Sequence, residues 1–272
     1  WVSYIFKKIT GSKFFIRTGY DMYFFSKAEK KSYFKQKLYM LLTFFGLNSA
    51  DLYSVTSRAD YDFLLKSFSF KRKKLKILRN WVETSKSITS EGRNEKLISI
   101  GRLEYQKNYE FLVKELSGQD ISLTIYGSGS KKEKLLELSK NLNVNLEIIN
   151  SISNSELIKN LQNVKYFILP SHYEGNPKAL LEAMSVGCIV FASNIKNHSE
   201  IINHRVNGFL FDLKKGSLIE ELTQVLNNSK INKGELEFIS NNAIETINNY
   251  YSISKIFNEE KNILNDLVNN GR

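Results

Sequence analysis

The residue types best suited to chemistry gather in Glu174–Met184 (EGNPKALLEAM), where two carboxylates flank a turn of Gly175, Asn176 and Pro177. Asn176 is a good helix N-cap, and Pro177 suits the first helical position, where its missing N–H costs nothing. A helix is therefore expected to begin there, just after an apolar run ending at Pro170. Its first backbone N–H groups have no partner inside the helix, and such a terminus favours an anion, phosphate above all. Glu182 falls about 9 Å further along the axis, at about 1.5 Å per residue. Carboxylates are good acceptors for paired hydroxyls. One glutamate per sugar ring, with a diphosphate between them on the helix terminus, matches the spacing of a sugar nucleotide. An exposed acid beside an ordinary Lys178–Glu182 pair, stabilising by only about 0.3 kcal/mol, would place the same residues there.

Those residues need a scaffold. From residue 96 onward, short apolar runs alternate with longer amphipathic ones: Lys96–Ile100, Ile121–Tyr126, Leu146–Ile149, Lys165–Pro170, Cys188–Ala192 and Gly208–Phe211. Apolar runs without alternation suit strands buried on both faces. Helical patterns such as Lys131–Leu142 and Ser155–Gln162 lie between them, so repeated βα units predict an α/β fold with a doubly wound, mostly parallel Rossmann-like sheet. In such sheets ligands bind at the carboxyl ends of the strands. The polar stretch Trp81–Asn94 reads as a linker, and Leu236–Val268 as one or two amphipathic helices. The first 80 residues carry strand-like runs at Tyr4–Tyr20 and Ala50–Ser57. The expected organisation is residues 1–80 as one domain, 81–95 as linker, 96–235 as the ligand-binding domain and 236–272 as helices returning toward the first domain.

Charge divides the chain in the same place. Residues 1–80 hold 17 Lys and Arg against 5 Asp and Glu, while the rest is close to neutral, so the net charge of +11 belongs to the first third. That asymmetry points to an anionic partner, or to a merely solvated basic face. Residues 27–47 are basic and then apolar, and residues 71–76 (KRKKLK) add a second basic cluster. The apolar part is too short to span a bilayer but suits a peripheral contact with an anionic membrane. A packed helix with a wet basic edge suits it equally. No nucleic-acid-binding motif accompanies the charge. A single cysteine, Cys188, excludes an intramolecular disulfide and a Cys-based zinc site; together with the missing secretory signal it points to the cytoplasm. With three histidines, no metal site is expected.

The pattern EG-x-P-x-x-L-x-E-A-M at 174–184, followed by Gly187 and a strand ending at Ser193, resembles family-4 retaining glycosyltransferases of the GT-B architecture. So do Ser99–Asn108 (SIGRLEYQKN), Ile125–Ser130 (IYGSGS) and, more weakly, Glu200–Phe211 (EIINHRVNGFLF), all in the family's order over residues 77–215. The resemblance implies transfer of a hexosyl-type unit from a nucleoside diphosphate sugar, UDP being the first nucleotide to expect. The acceptor would be a glycan or a lipid-linked molecule in cell-surface polysaccharide synthesis, at the inner face of the plasma membrane. No cofactor and no metal would be needed. Glu174 would meet the transferred sugar, Glu182 the ribose, and Arg102 and Lys107 the diphosphate, with Gly175, Asn176 and Pro177 completing the phosphate cradle. Gly127 and Gly129 would allow close approach of the donor, although two glycines after a strand also form an ordinary turn. Ser151 and Ile152 would meet the base, and His172 and Cys188 are expected to be packing residues.

The chain departs from the family at its start, where the first βα units of the acceptor domain are missing, so the first domain is expected to be an incomplete Rossmann-like acceptor domain. Ile16–Tyr20 is its nearest echo, with Arg17 and Gly19 on the possible acceptor side. Ile195–Ser199 lacks the glycine pair common before the position of Glu200. A non-catalytic sugar-nucleotide-binding module and a sugar-nucleotide epimerase of the same architecture are the alternative functions.

Overall fold

A computed structural model describes residues 2–19, 21–84, 92–226 and 231–269. The chain forms two compact units, Trp1–Trp81 with Ile253–Arg272, and Val82–Ser252.

In the first unit α1 (Val2–Thr10) leads to β1 (Phe15–Arg17), α2 (Met22–Ala28), α3 (Tyr33–Ser49), β2 (Leu52–Val55), α4 (Arg58–Ser67) and β3 (Leu75–Ile77). The three strands pair in parallel in the order β1-β2-β3. Leu47, Tyr53, Val55, Leu64 and Leu75 form its core, with Phe14, Ile16 and Phe63 packed against them. Asp21 caps α2 by accepting the Phe24 N–H, and burial raises the pKa of its carboxyl although Thr43 donates to it. The strand-like run expected over Tyr4–Tyr20 is corrected here. Its first part, residues 4–10, is α1, only Phe15–Arg17 is strand, and Tyr20 lies outside the described residues. Ile5, Phe6 and Ile9 recur at helical spacing, and Lys7 and Lys8 break the two-residue alternation of a half-buried strand. Gly11, at φ 70°, then ends the helix in the left-handed region, its N–H bonded to the Lys7 carbonyl.

The second unit runs β4 (Asn94–Ile100), α5 (Tyr109–Glu115), β5 (Leu123–Tyr126), α6 (Lys132–Asn141), β6 (Leu146–Ile149), α7 (Asn154–Gln162), β7 (Val164–Leu169), α8 (Lys178–Ser185), β8 (Ile189–Ser193), α9 (Lys196–Ser199), β9 (Phe209–Phe211), α10 (Ser217–Leu226) and α11 (Lys233–Tyr250). Its six strands are all parallel, in the order β6-β5-β4-β7-β8-β9. Each expected apolar run is a strand, and the reason is visible in the core. Leu97, Ile125, Ile168 and Phe191 face α5, α6 and α10, while Ile98, Phe167, Leu169 and Val190 face α8. With both faces covered, Tyr166–Leu169 of β7 and Ile189–Ala192 of β8 are apolar at every position, and burying one such side chain stabilises the fold by about 2 kcal/mol.

The tail divides. The helix α11 stays with the second unit, where Ser240 Oγ donates to the Gly187 carbonyl at 2.7 Å and Ala243 and Ile247 join the α8 core. A further helix, α12 (Ile253–Asn269), belongs to the first unit. The chain therefore separates after Ser252, not at residue 236. Val82, at the start of the expected linker, is buried and pairs with Ser252; β4 begins at Asn94, and residues 85–91 lie outside the described residues.

Strand order places the site. The chain builds outward from β4 through β5 to β6, then returns to the other side of β4 with β7 and continues to β8 and β9. The connections leave β4 and β7 in opposite directions, opening a crevice at their carboxyl ends.

Candidate active site

Two loops enter that crevice. After β4 comes Gly101–Asn108, with Tyr105–Lys107 as a single 3-10 turn and Asn108 in the left-handed conformation, φ 55°. Asparagine tolerates this better than most residues, and it turns the loop into α5. After β7 comes Pro170–Pro177, leading into α8.

The two loops meet through side chains. Lys107 Nζ donates to Glu174 Oε1 at 2.6 Å, and Ser171 Oγ donates to the same oxygen at 2.6 Å. Gln106 Nε2 donates to Glu174 Oε2 at 3.2 Å and to the Tyr173 carbonyl at 3.1 Å. Its Oε1 accepts from Arg102 Nη2 at 3.0 Å. Glu174 is thus a buried carboxylate with donors on both oxygens, and the exposed Arg102 is tied to it through one amide. Buried charges persist when they are paired and hydrogen-bonded in this way. Gly101 makes the arrangement possible, since a Cβ there would come within 2.8 Å of Lys107 Cε. Below the loop, Ser193 Oγ donates to the Ser171 carbonyl at 2.6 Å, and Asn197 Nδ2 donates to the Gly175 carbonyl at 2.8 Å. Asn197 stands in the segment where the glycine pair is absent, and a side-chain amide there supports the loop. His198 is fully buried, its Nδ1 2.8 Å from the Ser193 carbonyl, and burial holds its pKa down to about 4.

The helix start differs by one position from the sequence expectation. Pro177 is the N-cap of α8, not its first residue, and Asn176 stands before it. A residue ahead of proline is disfavoured in the helical region, which keeps Asn176 out of the helix. Pro177, with ψ 103°, supplies the carbonyl that accepts from Leu180 and Leu181. Gly175, Asn176 and Pro177 are all buried at this turn. Glu182 is also buried, and its Oε1 accepts from Asn154 Nδ2 at 2.7 Å, with Lys178 Nζ at 3.6 Å.

Gly127 and Gly129 follow β5. A Cβ at Gly127 would lie 2.0 Å from the Gly101 carbonyl oxygen, and one at Gly129 2.6 Å from that of Leu103. The space that these glycines leave is taken by the β4 loop itself, and Glu104 fastens the two loops by accepting from Ser130 N and Oγ at 2.8 and 2.9 Å. Ser151 and Ile152 lie after β6, exposed and half-buried; their neighbour Asn154, overlooked in the sequence, is the residue that reaches Glu182. His172 stacks on Tyr105 with centroids 4.6 Å apart, and burial lowers its pKa. The Cys188 thiol, fully buried, is pushed up to about 12. In the first unit Arg17 pairs with Glu260 and bonds the Arg79 carbonyl, so it ties α12 to β1, and the Gly19 carbonyl accepts from Thr56. Among the described residues no three His, Cys, Asp or Glu side chains converge as a metal site would need.

A doubly wound parallel α/β domain thus carries a cation–carboxylate network at its topological switch point, with a second buried glutamate along the following helix. The sequence profile of "Glycosyl transferases group 1" matches residues 82–246, and the chain belongs to that family. An uncharacterised glycosyltransferase of Methanocaldococcus jannaschii is 30% identical over 185 residues, covering 65% of this chain and 46% of the relative. The Campylobacter jejuni N-acetylgalactosamine-N,N'-diacetylbacillosaminyl-diphospho-undecaprenol 4-alpha-N-acetylgalactosaminyltransferase is 27% identical over 193 residues, covering 68% and 53%. The chain therefore spans about half the length of the curated relatives it matches. The structure of Anabaena HepE in complex with UDP-glucose superposes with a TM-score of 0.79 at 17% identity, over 97% of this chain and 75% of that one. The fold is the GT-B class of these proteins.

Proposed function

We propose that the chain serves a retaining glycosyltransferase that moves a hexosyl-type unit from a nucleoside diphosphate sugar to a glycan or lipid-linked acceptor in cell-surface polysaccharide assembly. UDP is the nucleotide we assign first, since a neighbour of the same fold was solved with UDP-glucose. A C. jejuni relative named for a diphospho-undecaprenol acceptor supports a lipid-linked substrate at the inner face of the membrane. The observation that carries the reading is the Arg102–Gln106–Glu174–Lys107 network at the β4/β7 switch point.

When the bond between sugar and diphosphate breaks, negative charge collects on the departing phosphate. Lys107 and Arg102 lie on one loop beside that position, and the first N–H groups of α8 face it from the other. Donors held in place before the reaction need no reorganisation as charge develops, and such preorganisation is often the largest catalytic effect. Glu174 accepts from the hydroxyls of the transferred sugar and Glu182 from those of the ribose. Charge neutralisation by these side chains makes a divalent cation unnecessary in our reading.

The test is calorimetric titration of the folded chain with UDP, GDP and ADP in EDTA, beside Glu182→Ala. UDP should bind without metal, and the variant should bind at least about tenfold more weakly, as loss of a charged hydrogen bond implies. Failure of the folded protein to bind any nucleotide would refute the donor site.

A further inference from the structure

Gln106 is a buried amide in a loop that carries Arg102 before it and Lys107 after it. A side-chain amide is costly to bury unless it is hydrogen-bonded, so its partners account for its place. Nε2 donates to the Tyr173 carbonyl at 3.1 Å and to Glu174 Oε2 at 3.2 Å, while Oε1 accepts from Arg102 Nη2 at 3.0 Å. The backbone carbonyl of Gln106 accepts the His172 N–H at 2.9 Å. One residue thus holds three successive residues of the β7 loop and, from its own loop, a guanidinium.

The neutrality of the bridge is what matters. Among the described residues, Gln106 is the one hydrogen-bond acceptor of the Arg102 side chain, and no carboxylate pairs with that guanidinium. Glu104 feels the charge of Arg102 but is bonded to Ser130. On the far side of the bridge, the other oxygen of Glu174 is already held by Lys107 and Ser171. If Arg102 lay directly on Glu174, each charge would cancel the other, and neither would be left for a ligand. A carboxylate at position 106 would cancel Arg102 in the same way. An amide accepts from the cation and donates to the anion, so it fixes both groups and neutralises neither.

We propose that Gln106 is a positioning residue. It holds Arg102 toward the diphosphate and Glu174 toward the sugar, and it keeps the two charges from collapsing into one ion pair. This inference rests on the reading of Arg102 and Glu174 as contacts to the donor.

Gln106→Glu is the discriminating variant. It keeps an acceptor for Arg102, loses the donor to Glu174, and sets two carboxylates where Nε2 and Oε2 now stand 3.2 Å apart. Two carboxylates sharing a site ionise together only with difficulty, and one pKa is strongly raised. Once the pair has taken up a proton, glutamic acid is a near copy of the amide. Its O–H donates to Glu174, and its carbonyl accepts from Arg102. Low pH should therefore restore what the substitution removes.

The experiment titrates wild type, Gln106→Glu and Gln106→Met by calorimetry, at about pH 5.5 and about pH 8.5, on either side of the raised carboxyl pKa. The probe is whichever of UDP, GDP and ADP the wild type binds. Each variant's Kd is divided by that of wild type at the same pH. The titrations of the nucleotide, of His172 and of His198 cancel in that ratio. Gln106→Glu should bind at least about tenfold more weakly at the higher pH and within about threefold of wild type at the lower one. Gln106→Met, of similar length and uncharged, should bind about three- to tenfold more weakly at both. Thermal unfolding shows that each variant is folded. An amide that served only the fold would lower Tm without this split in affinity. Wild-type affinity in Gln106→Met, or a Gln106→Glu ratio that does not change with pH, would overturn the proposal and leave the donor site standing. If Gln106→Glu unfolds at the higher pH, Gln106→Met alone decides by the same criterion. A folded wild type that binds none of the three nucleotides would refute the donor site and this proposal with it.

Discussion

Replacing Lys107 by methionine keeps the aliphatic stem over Gly101 and removes only the ammonium. Lys107 Nζ sits 2.6 Å from Glu174 Oε1, and the two side chains are 12% and 7% exposed. Breaking a buried ion pair by removing one partner typically costs about 3–5 kcal/mol, because the other charge is left behind. Glu174 retains the Ser171 hydroxyl and the Gln106 amide, each a donor to a charged group, so we set the loss at about 2–3 kcal/mol. For a domain of this size that is a fall of about 5–10 °C in Tm. The double variant Lys107→Met with Glu174→Gln should recover most of that stability, since a neutral amide needs no cation. Neither variant should recover nucleotide affinity, which should drop at least about tenfold with loss of one charged contact to the diphosphate. Thermal unfolding by circular dichroism and UDP titration read the two effects separately. A single variant as stable as wild type, or a double variant no more stable than the single one, would refute the reasoning.

Asn154→Ala removes the 2.7 Å donor that orients Glu182, and UDP affinity should fall about three- to tenfold, from one neutral-to-charged hydrogen bond; equal or tighter binding in the titration would show that Asn154 competes with the ribose instead. Gly127→Ala places a Cβ 2.0 Å from the Gly101 carbonyl oxygen and should destabilise the fold by about 2 kcal/mol or more, read as a lowered urea midpoint. His198 supplies the pH dependence. The unfolded chain protonates it below pH about 6.5, while burial keeps the folded ring neutral down to about 4. Its contribution to stability is therefore present above pH about 6.5 and is lost as pH falls toward 4, by up to about 3 kcal/mol. Urea midpoints followed over that window should fall less steeply for His198→Gln than for wild type, and parallel curves would contradict the assignment.

Much of the second unit was legible in its residues. Runs such as Tyr166–Leu169 and Val190–Ala192 are apolar at every position because helices cover both faces of the sheet, and that signature needs no partner to be read. The grouping of the candidate residues was legible where it is local: Arg102 and Lys107 share one loop, and Glu174 and Glu182 share one loop-to-helix junction. Short segments with mixed periodicity were harder. In Tyr4–Thr10 the helical spacing of three apolar residues competes with a strand-like composition, and the packing of Tyr4 on Phe45 and the left-handed Gly11 accompany the helical outcome.

What lay beyond the sequence is contact between residues far apart in it. Gln106 looks like filler between Arg102 and Lys107 until the fold brings it to Glu174, 68 residues on. Gly127 and Gly129 suggest room for a ligand, yet the backbone of Gly101–Leu103 fills that room. The tail reads as amphipathic helices throughout, but α11 buries its face on α8 and Gly187 while α12 is tied to Arg17. Residue types and periodicity determine which segments are strands and where charge can bind, because those depend on near neighbours and on burial. Which polar atoms satisfy one another in the interior depends on the pairing of β4 with β7, which brings their loops together, and only the tertiary structure decides that.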